Sequence, residues 1–106
     1  MKVTNALVSV VACFAAAPDE DHWGYKLTDS TGVLPGALYP LLKRLLADGW
    51  IEDRWEDAAK ARSDGRPPRR LYRVTQLGLT SMGVVLGTAR NDRRFTSPAI
   101  AFGGVQ

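Results

Sequence analysis

Leu34-Pro35-Gly36-Ala37-Leu38-Tyr39-Pro40-Leu41-Leu42-Lys43-Arg44-Leu45 is the stretch on which the fold turns. Its leucines at 34, 38, 41, 42 and 45 recur at intervals of three and four, which places one apolar stripe on a helix. Gly36, Ala37, Pro40, Lys43, Arg44 and Ala47 fall on the opposite side, which is therefore small and basic. Pro40 is unusual there, because its ring crowds the carbonyl four residues back, that of Gly36. In the second turn of a helix starting near Pro35 the loss is one backbone hydrogen bond and a slight bend. Immediately upstream, Trp23–Thr31 reads as a shorter helical segment with Tyr25 and Leu27 as core residues. Asp19-Glu20-Asp21 precede it and suit the positive end of a helix dipole. Gly32 closes it, as glycine does past a helix end. Two helices joined by a turn at Gly32, the second with a slim outer face, form a helix-turn-helix pattern.

Downstream, Asp48-Gly49 stops the second helix and Trp50–Trp55 reads as a strand. Glu56–Pro68 is polar, charged and punctuated by Gly65-Arg66-Pro67-Pro68, so a loop is expected. Arg70–Val74 carries β-favouring residues and reads as the returning strand. Thr75 suits a helix N-cap, opening a last helix through Leu77, Leu79, Met82, Val85 and Leu86. Gly78, Gly83 and Gly87 each weaken that helix by up to ~1 kcal/mol relative to alanine. It is thus expected to rely on packing, including packing against another subunit. The expected fold is mostly α with a two-stranded β wing (α+β), a winged helix-turn-helix. It is placed in residues 1–90, with the short last helix serving dimerisation and 91–106 as a C-terminal tail. Within that tail, Phe95 and Phe102 either clasp a second subunit or belong to a disordered end.

The N-terminus offers two readings. Met1-Lys2 followed by the apolar run Ala6–Ala17 and Pro18-Asp19 has the outline of a secretory signal. The run is too short to span a bilayer as a helix. The same residues place Leu7, Val10, Val11 and Phe14 on one helical stripe, with Thr4 able to cap the start. Cleavage would remove a helix that the downstream motif needs, so a core helix and a cytoplasmic protein are expected.

A chain of 106 residues with formal net charge +3 holds one domain with a modest core. Charge distribution says more than charge total. From Lys60 to Arg73, six basic residues (Lys60, Arg62, Arg66, Arg69, Arg70 and Arg73) face one acid, Asp64. Such a local basic stretch fits a positioned nucleic-acid contact, although a solvated charged loop has the same composition. The single cysteine, Cys13, excludes an intrachain disulfide and a Cys-rich metal site, and His22 is the only histidine. With no nucleophile–base pair and no phosphate-cradling glycine loop, no catalytic residue, metal ligand or cofactor is assigned, and an enzyme is not expected.

The run Gly24-Tyr25-Lys26-Leu27, followed by Gly36-Ala37-Leu38-Tyr39-Pro40-Leu41-Leu42-Lys43-Arg44-Leu45, resembles the helix-turn-helix of PadR-like bacterial transcriptional regulators. Asp48-Gly49-Trp50-Ile51, Gly65-Arg66-Pro67-Pro68-Arg69-Arg70 and Val74-Thr75 are similar to that family's wing and last-helix entry. The resemblance spans Ala6 to Leu86. It implies a homodimeric repressor bound to a pseudo-palindromic operator. Trp23 departs from the family's usual histidine, Ala37 from a frequent threonine, and Leu71 from a frequent tyrosine. The last helix is shorter than in many relatives.

On this reading duplex DNA is the partner and the sites follow from groove geometry. Gly36 and Ala37 leave the helix slim enough to approach base edges. Tyr39 and Lys43, one turn on, are assigned to phosphates, which position without reading sequence; for Tyr39 the alternative is a ring packed under the wing. Lys26 is a backbone contact or a plain surface lysine. Arg44 is solvated or pairs with Asp48 at i,i+4. Arg66, between Gly65 and Pro67, is the candidate for insertion into a narrow minor groove. Of Arg69 and Arg70, alternation on a strand turns one toward DNA. Trp50 and Trp55 are expected to pack. A small-molecule effector is not identifiable from the residues. The rival readings are a winged-helix protein-interaction module and a non-specific architectural DNA-binding protein.

Overall fold

The leucine stripe in the deciding stretch does form one helix, and the rest of the chain is arranged around it. A computed structural model describes residues 2–92; the tail residues Phe95 and Phe102 lie outside that range. The elements are α1 (Asn5–Ala16), α2 (Gly24–Thr31), α3 (Pro35–Ala47), β1 (Ile51–Trp55), α4 (Ala58–Ser63), β2 (Arg70–Val74) and α5 (Gln76–Arg90). β1 and β2 form an antiparallel pair, with Ile51 opposite Val74 and Trp55 opposite Arg70.

Local chemistry fixes most boundaries. The Thr4 hydroxyl accepts the Leu7 N–H at α1, and the Thr75 hydroxyl accepts the Gly78 N–H at α5. Each satisfies a donor that the first helical turn leaves unpaired. Gly32, at φ 77°, ends α2 in the left-handed region that glycine enters freely. α3 starts with Pro35 in its first turn and runs unbroken through Pro40.

Leu7, Val10, Val11 and Phe14 of α1 are fully buried with Leu27 of α2, Leu38, Leu42 and Leu45 of α3, and Met82 of α5. Ile51, Tyr72 and Val74 close the core from the sheet. α1 is thus an integral core helix lying against α2, α3 and α5. No helix among the described residues is long and apolar enough to cross a membrane.

Three expectations need correction. The Glu56–Pro68 segment contains a helix, α4: the Asp57 carboxylate caps it by accepting the Ala59 N–H, and Ala61 is completely buried. Leu34, counted in the apolar stripe, and Tyr25, read as a core residue, are 69% and 77% exposed. Leu34 is the N-cap of α3, one residue before the helical turn that would have rotated it inward. Tyr25 sits in the first turn of an eight-residue helix whose inward position is Leu27. Gly78, expected only to weaken α5, has a steric reason to be there. A Cβ at that position would lie 1.8 Å from the Trp50 carbonyl oxygen, so α5 meets the root of β1 at a distance only glycine permits.

Candidate nucleic-acid interface

α3 presents two distinct faces. Leu38, Leu42 and Leu45 are buried, while Gly36, Ala37, Tyr39, Pro40, Lys43 and Ala47 are exposed. The helix contains no acidic residue. Lys43 has no ion-pair partner among the described residues. Arg44 is held 3.3 Å from Asp48 at i,i+4. The Tyr39 ring, half exposed, leans against the start of α2, where a Cβ on Gly24 would come within 2.0 Å of its hydroxyl oxygen. Glycine at 24 therefore lets the two helices of the motif meet through that tyrosine. Exposed Leu34 adds an apolar group at the leading end of α3, a residue type that suits a thymine methyl in a major groove.

The wing is basic in sequence but largely neutralised in space. Arg66 donates both guanidinium arms to Glu56, at 2.5 and 2.8 Å, and reaches Asp64 at 3.3 Å. Its side chain is only 23% exposed, and that of Glu56 10%. The bidentate Arg66 guanidinium, helped by the Arg69 backbone N–H, holds the Glu56 carboxyl down to about 2. Arg66 is thus folded back onto its own wing as a brace. Arg70 is bonded to Asp53 at 2.7 Å and lies over the Trp55 ring. Arg54 and Arg73 converge on Asp21, and the Arg54 contact is bidentate at 2.9 and 2.8 Å. The Arg54 guanidinium, foremost, holds the Asp21 carboxyl below its ordinary value.

Three of the six basic residues between Lys60 and Arg73 are therefore committed to carboxylates: Arg66, Arg70 and Arg73. Lys60, Arg62 and Arg69 are not so committed among the described residues. Arg69 instead stacks over Trp23, its guanidinium carbon 4.2 Å from the ring centre. Lys26 turns away toward the α1–α2 connection. It reaches the Asp21 carbonyl at 2.9 Å and Glu20 at 3.4 Å, with Trp23 beside it.

The wing is tied to the helical body by a residue that sequence reasoning gave no role. The His22 backbone exchanges two hydrogen bonds with Tyr72, at 2.8 and 2.7 Å, adding a one-residue third strand to the sheet. Its imidazole is buried beside Phe14, with ring centres 4.7 Å apart. Nε2 donates to the Ala17 carbonyl at 3.2 Å, and Nδ1 has no partner among the described residues. Burial pushes its pKa below the ordinary histidine value. Among the described residues no three His, Cys, Asp or Glu side chains are grouped to hold a metal ion. The Cys13 thiol is half-buried and pushed up by that burial, which makes it a poor nucleophile.

Two helices meeting at Gly32, a slim third-helix face and a braced antiparallel hairpin beside it define a winged helix-turn-helix of the transcription-regulator type. Residues 19–83 match the family described as transcriptional regulator PadR-like. The chain belongs to that PadR-like family. Among solved structures it is similar to a PadR family regulator from Clostridium difficile, at 18% identity and TM-score 0.66, covering 82% of this chain and 88% of that one. A PadR family regulator from Eggerthella lenta is similar at 24% identity and TM-score 0.62, over 79% and 73% of the two chains. A mutant MarR from E. coli shares the fold at 20% identity and TM-score 0.65, over 94% of this chain and 65% of that one. Among curated proteins, none matches the sequence.

Proposed function

We propose that the protein is a sequence-specific double-stranded DNA-binding repressor, acting in the cytoplasm as a homodimer on a pseudo-palindromic operator. The observation that carries this reading is the outer face of α3: small at Gly36 and Ala37, free of acids, with Tyr39 and Lys43 exposed on one side. Such a face enters a major groove without steric or electrostatic penalty. Gly36, Ala37 and Leu34 approach base edges; Tyr39 and Lys43 contact the backbone, whereas Lys26 is held by the Asp21 carbonyl and Glu20. Arg69 contributes from the wing, whereas Arg70 is committed to Asp53. Arg66 acts by fixing the shape of the wing through Glu56 rather than by inserting into a minor groove.

Self-association is supported by the apolar surface beside α5. Leu77 and Val84 are 57% and 66% exposed, and Val3, Leu7, Trp50 and Val85 line an adjoining groove. A glycine-bearing helix with such a face gains stability when a second copy covers it. Two copies related by a two-fold axis present paired α3 helices to paired half-sites, and a bound dimer represses by occluding a promoter.

The test is selection of duplexes from a random library, followed by binding across a salt series and sedimentation of the free protein. Recovery of a two-fold symmetric sequence bound by a dimer, with a steep negative log–log salt slope, is the expected outcome. Binding indifferent to sequence would make it an architectural protein. No binding at low salt by a folded protein would leave a protein-interaction module.

A further inference from the structure

Between the start of α2, Tyr39 of α3 and the entry to β2 lies an open cleft of about 360 Å³. Trp23 and Gly24 form one wall, Tyr39 and Tyr72 another, and Arg69 and Arg70 a third. No carboxylate of the described residues lines it. We propose that this cleft seats one phosphodiester of duplex DNA, with Arg69 as its charged ligand, the Tyr39 hydroxyl as its neutral donor and Trp23 as the positioning residue. The inference rests on the DNA-binding reading above and adds a discrete site to it.

Arg69 is held at two levels. Its backbone N–H donates to the Glu56 carboxylate at 3.2 Å, and its carbonyl accepts the Glu56 N–H at 2.9 Å. Its guanidinium lies over the Trp23 ring. A stacked guanidinium satisfies its face and keeps its in-plane N–H groups directed outward. Those groups match two phosphate oxygens, and no acid among the described residues competes for them as an ion-pair partner. Ordering such a long side chain normally opposes binding; here Trp23 orders it beforehand.

Tyr39 is fixed equally well. Its hydroxyl occupies the space that a Cβ on residue 24 would take, and no hydrogen bond within the described residues engages it. It therefore sits at the cleft with its donor available, on the helix assigned to the major groove. The strand bordering that groove passes alongside, which brings a phosphate rather than a base to the cleft. An apolar ligand would find an open, cationic surface in place of an enclosed cavity. A free inorganic anion shares the phosphate chemistry but lacks the groove contacts of α3.

The experiment uses the full chain and a duplex selected by it, carrying a neutral methylphosphonate at one phosphate pair at a time. Wild-type protein is expected to lose about ten-fold in affinity at one symmetric pair. Arg69→Ala is expected to lose a similar factor on the unmodified duplex, to ignore the substitution at that pair, and to show a salt slope shallower by about one. Trp23→Ala should weaken binding at an unchanged slope, because the charge remains but is no longer held; Trp23→Phe should restore most of the affinity. Thermal melting of each variant separates these effects from misfolding. An Arg69→Ala profile identical to wild type at every phosphate overturns the seat while leaving the DNA reading intact. If the wild type selects no duplex, both fail. Millimolar inorganic phosphate that shifts Arg69 and Tyr39 resonances, with no phosphate pair on DNA sensitive to Arg69, would assign the cleft to free anions and overturn the proposal.

Discussion

The outer face of α3 and the wing differ in a way that their composition hides. α3 carries two basic residues, Lys43 and Arg44, yet Lys43 is unpaired among the described residues, and nothing acidic shares the helix. The wing is far richer in arginine, yet Arg54, Arg66, Arg70 and Arg73 are each satisfied by Asp21, Glu56 or Asp53. Charge available to a partner is what remains after internal pairing. By that measure α3 keeps Lys43 available, and the wing is chiefly a braced structural arm whose uncommitted charges, among the described residues, are Lys60, Arg62 and Arg69.

The sharpest way to break this contrast is Ala37→Glu. A carboxylate on the slim face would meet the negative groove, and specific affinity should fall by at least about 100-fold in a titration. Melting should be unchanged, because Ala37 is exposed. Next, Lys43→Ala should lower affinity several-fold and make the salt slope shallower by about one. An unchanged slope would remove Lys43 from the phosphate contacts.

Arg66→Gln probes the other side of the comparison. Affinity should change by less than about two-fold with the slope intact, whereas limited trypsin digestion at Lys60 and Arg62 should accelerate as the brace on Glu56 is lost. A slope loss of about one would instead make Arg66 a DNA contact.

The smallest effect concerns His22 at the wing root. Its folded pKa lies below the unfolded value, so the unfolded chain takes up the proton first. The stability it contributes is complete above about pH 6.5 and declines as pH falls below that value. Asp21, also lowered in the fold, adds a second loss in the more acidic range, below the ordinary aspartate value. Melting temperature recorded from pH 8 to pH 5 should drop at the acid end, and His22→Phe should flatten the upper part of that drop. An unaltered profile in the variant would exclude His22 as its source.

Much of the architecture is legible in the residues. The leucine spacing of α3, the caps Thr4 and Thr75, and Gly32 at the turn are local signals with local consequences, and the structure realises each. α4 was hidden because it is six residues long and its only buried member is Ala61. Charged Lys60, Arg62 and Asp64 around it read as loop. The candidate interface was less legible than the fold. Whether Arg66 or Arg69 is available depends on where Glu56 and Trp23 arrive in space, and that is a tertiary fact. A lone histidine gave no sign that its backbone would extend the sheet. Leu34 shows the limit of periodicity: it continues the stripe arithmetically but stands outside the first turn, where the period no longer governs direction.

The contact between Gly78 and the Trp50 carbonyl bears on how this sequence can drift. Position 78 is closed to nineteen of the twenty amino acids, since all of them carry a carbon where backbone already stands. On the same helix, a Cβ added at Gly83 or Gly87 would meet nothing within 4 Å. Three glycines that look alike on paper thus have unequal evolutionary freedom. A saturation library should return a single letter at the first and many at the other two.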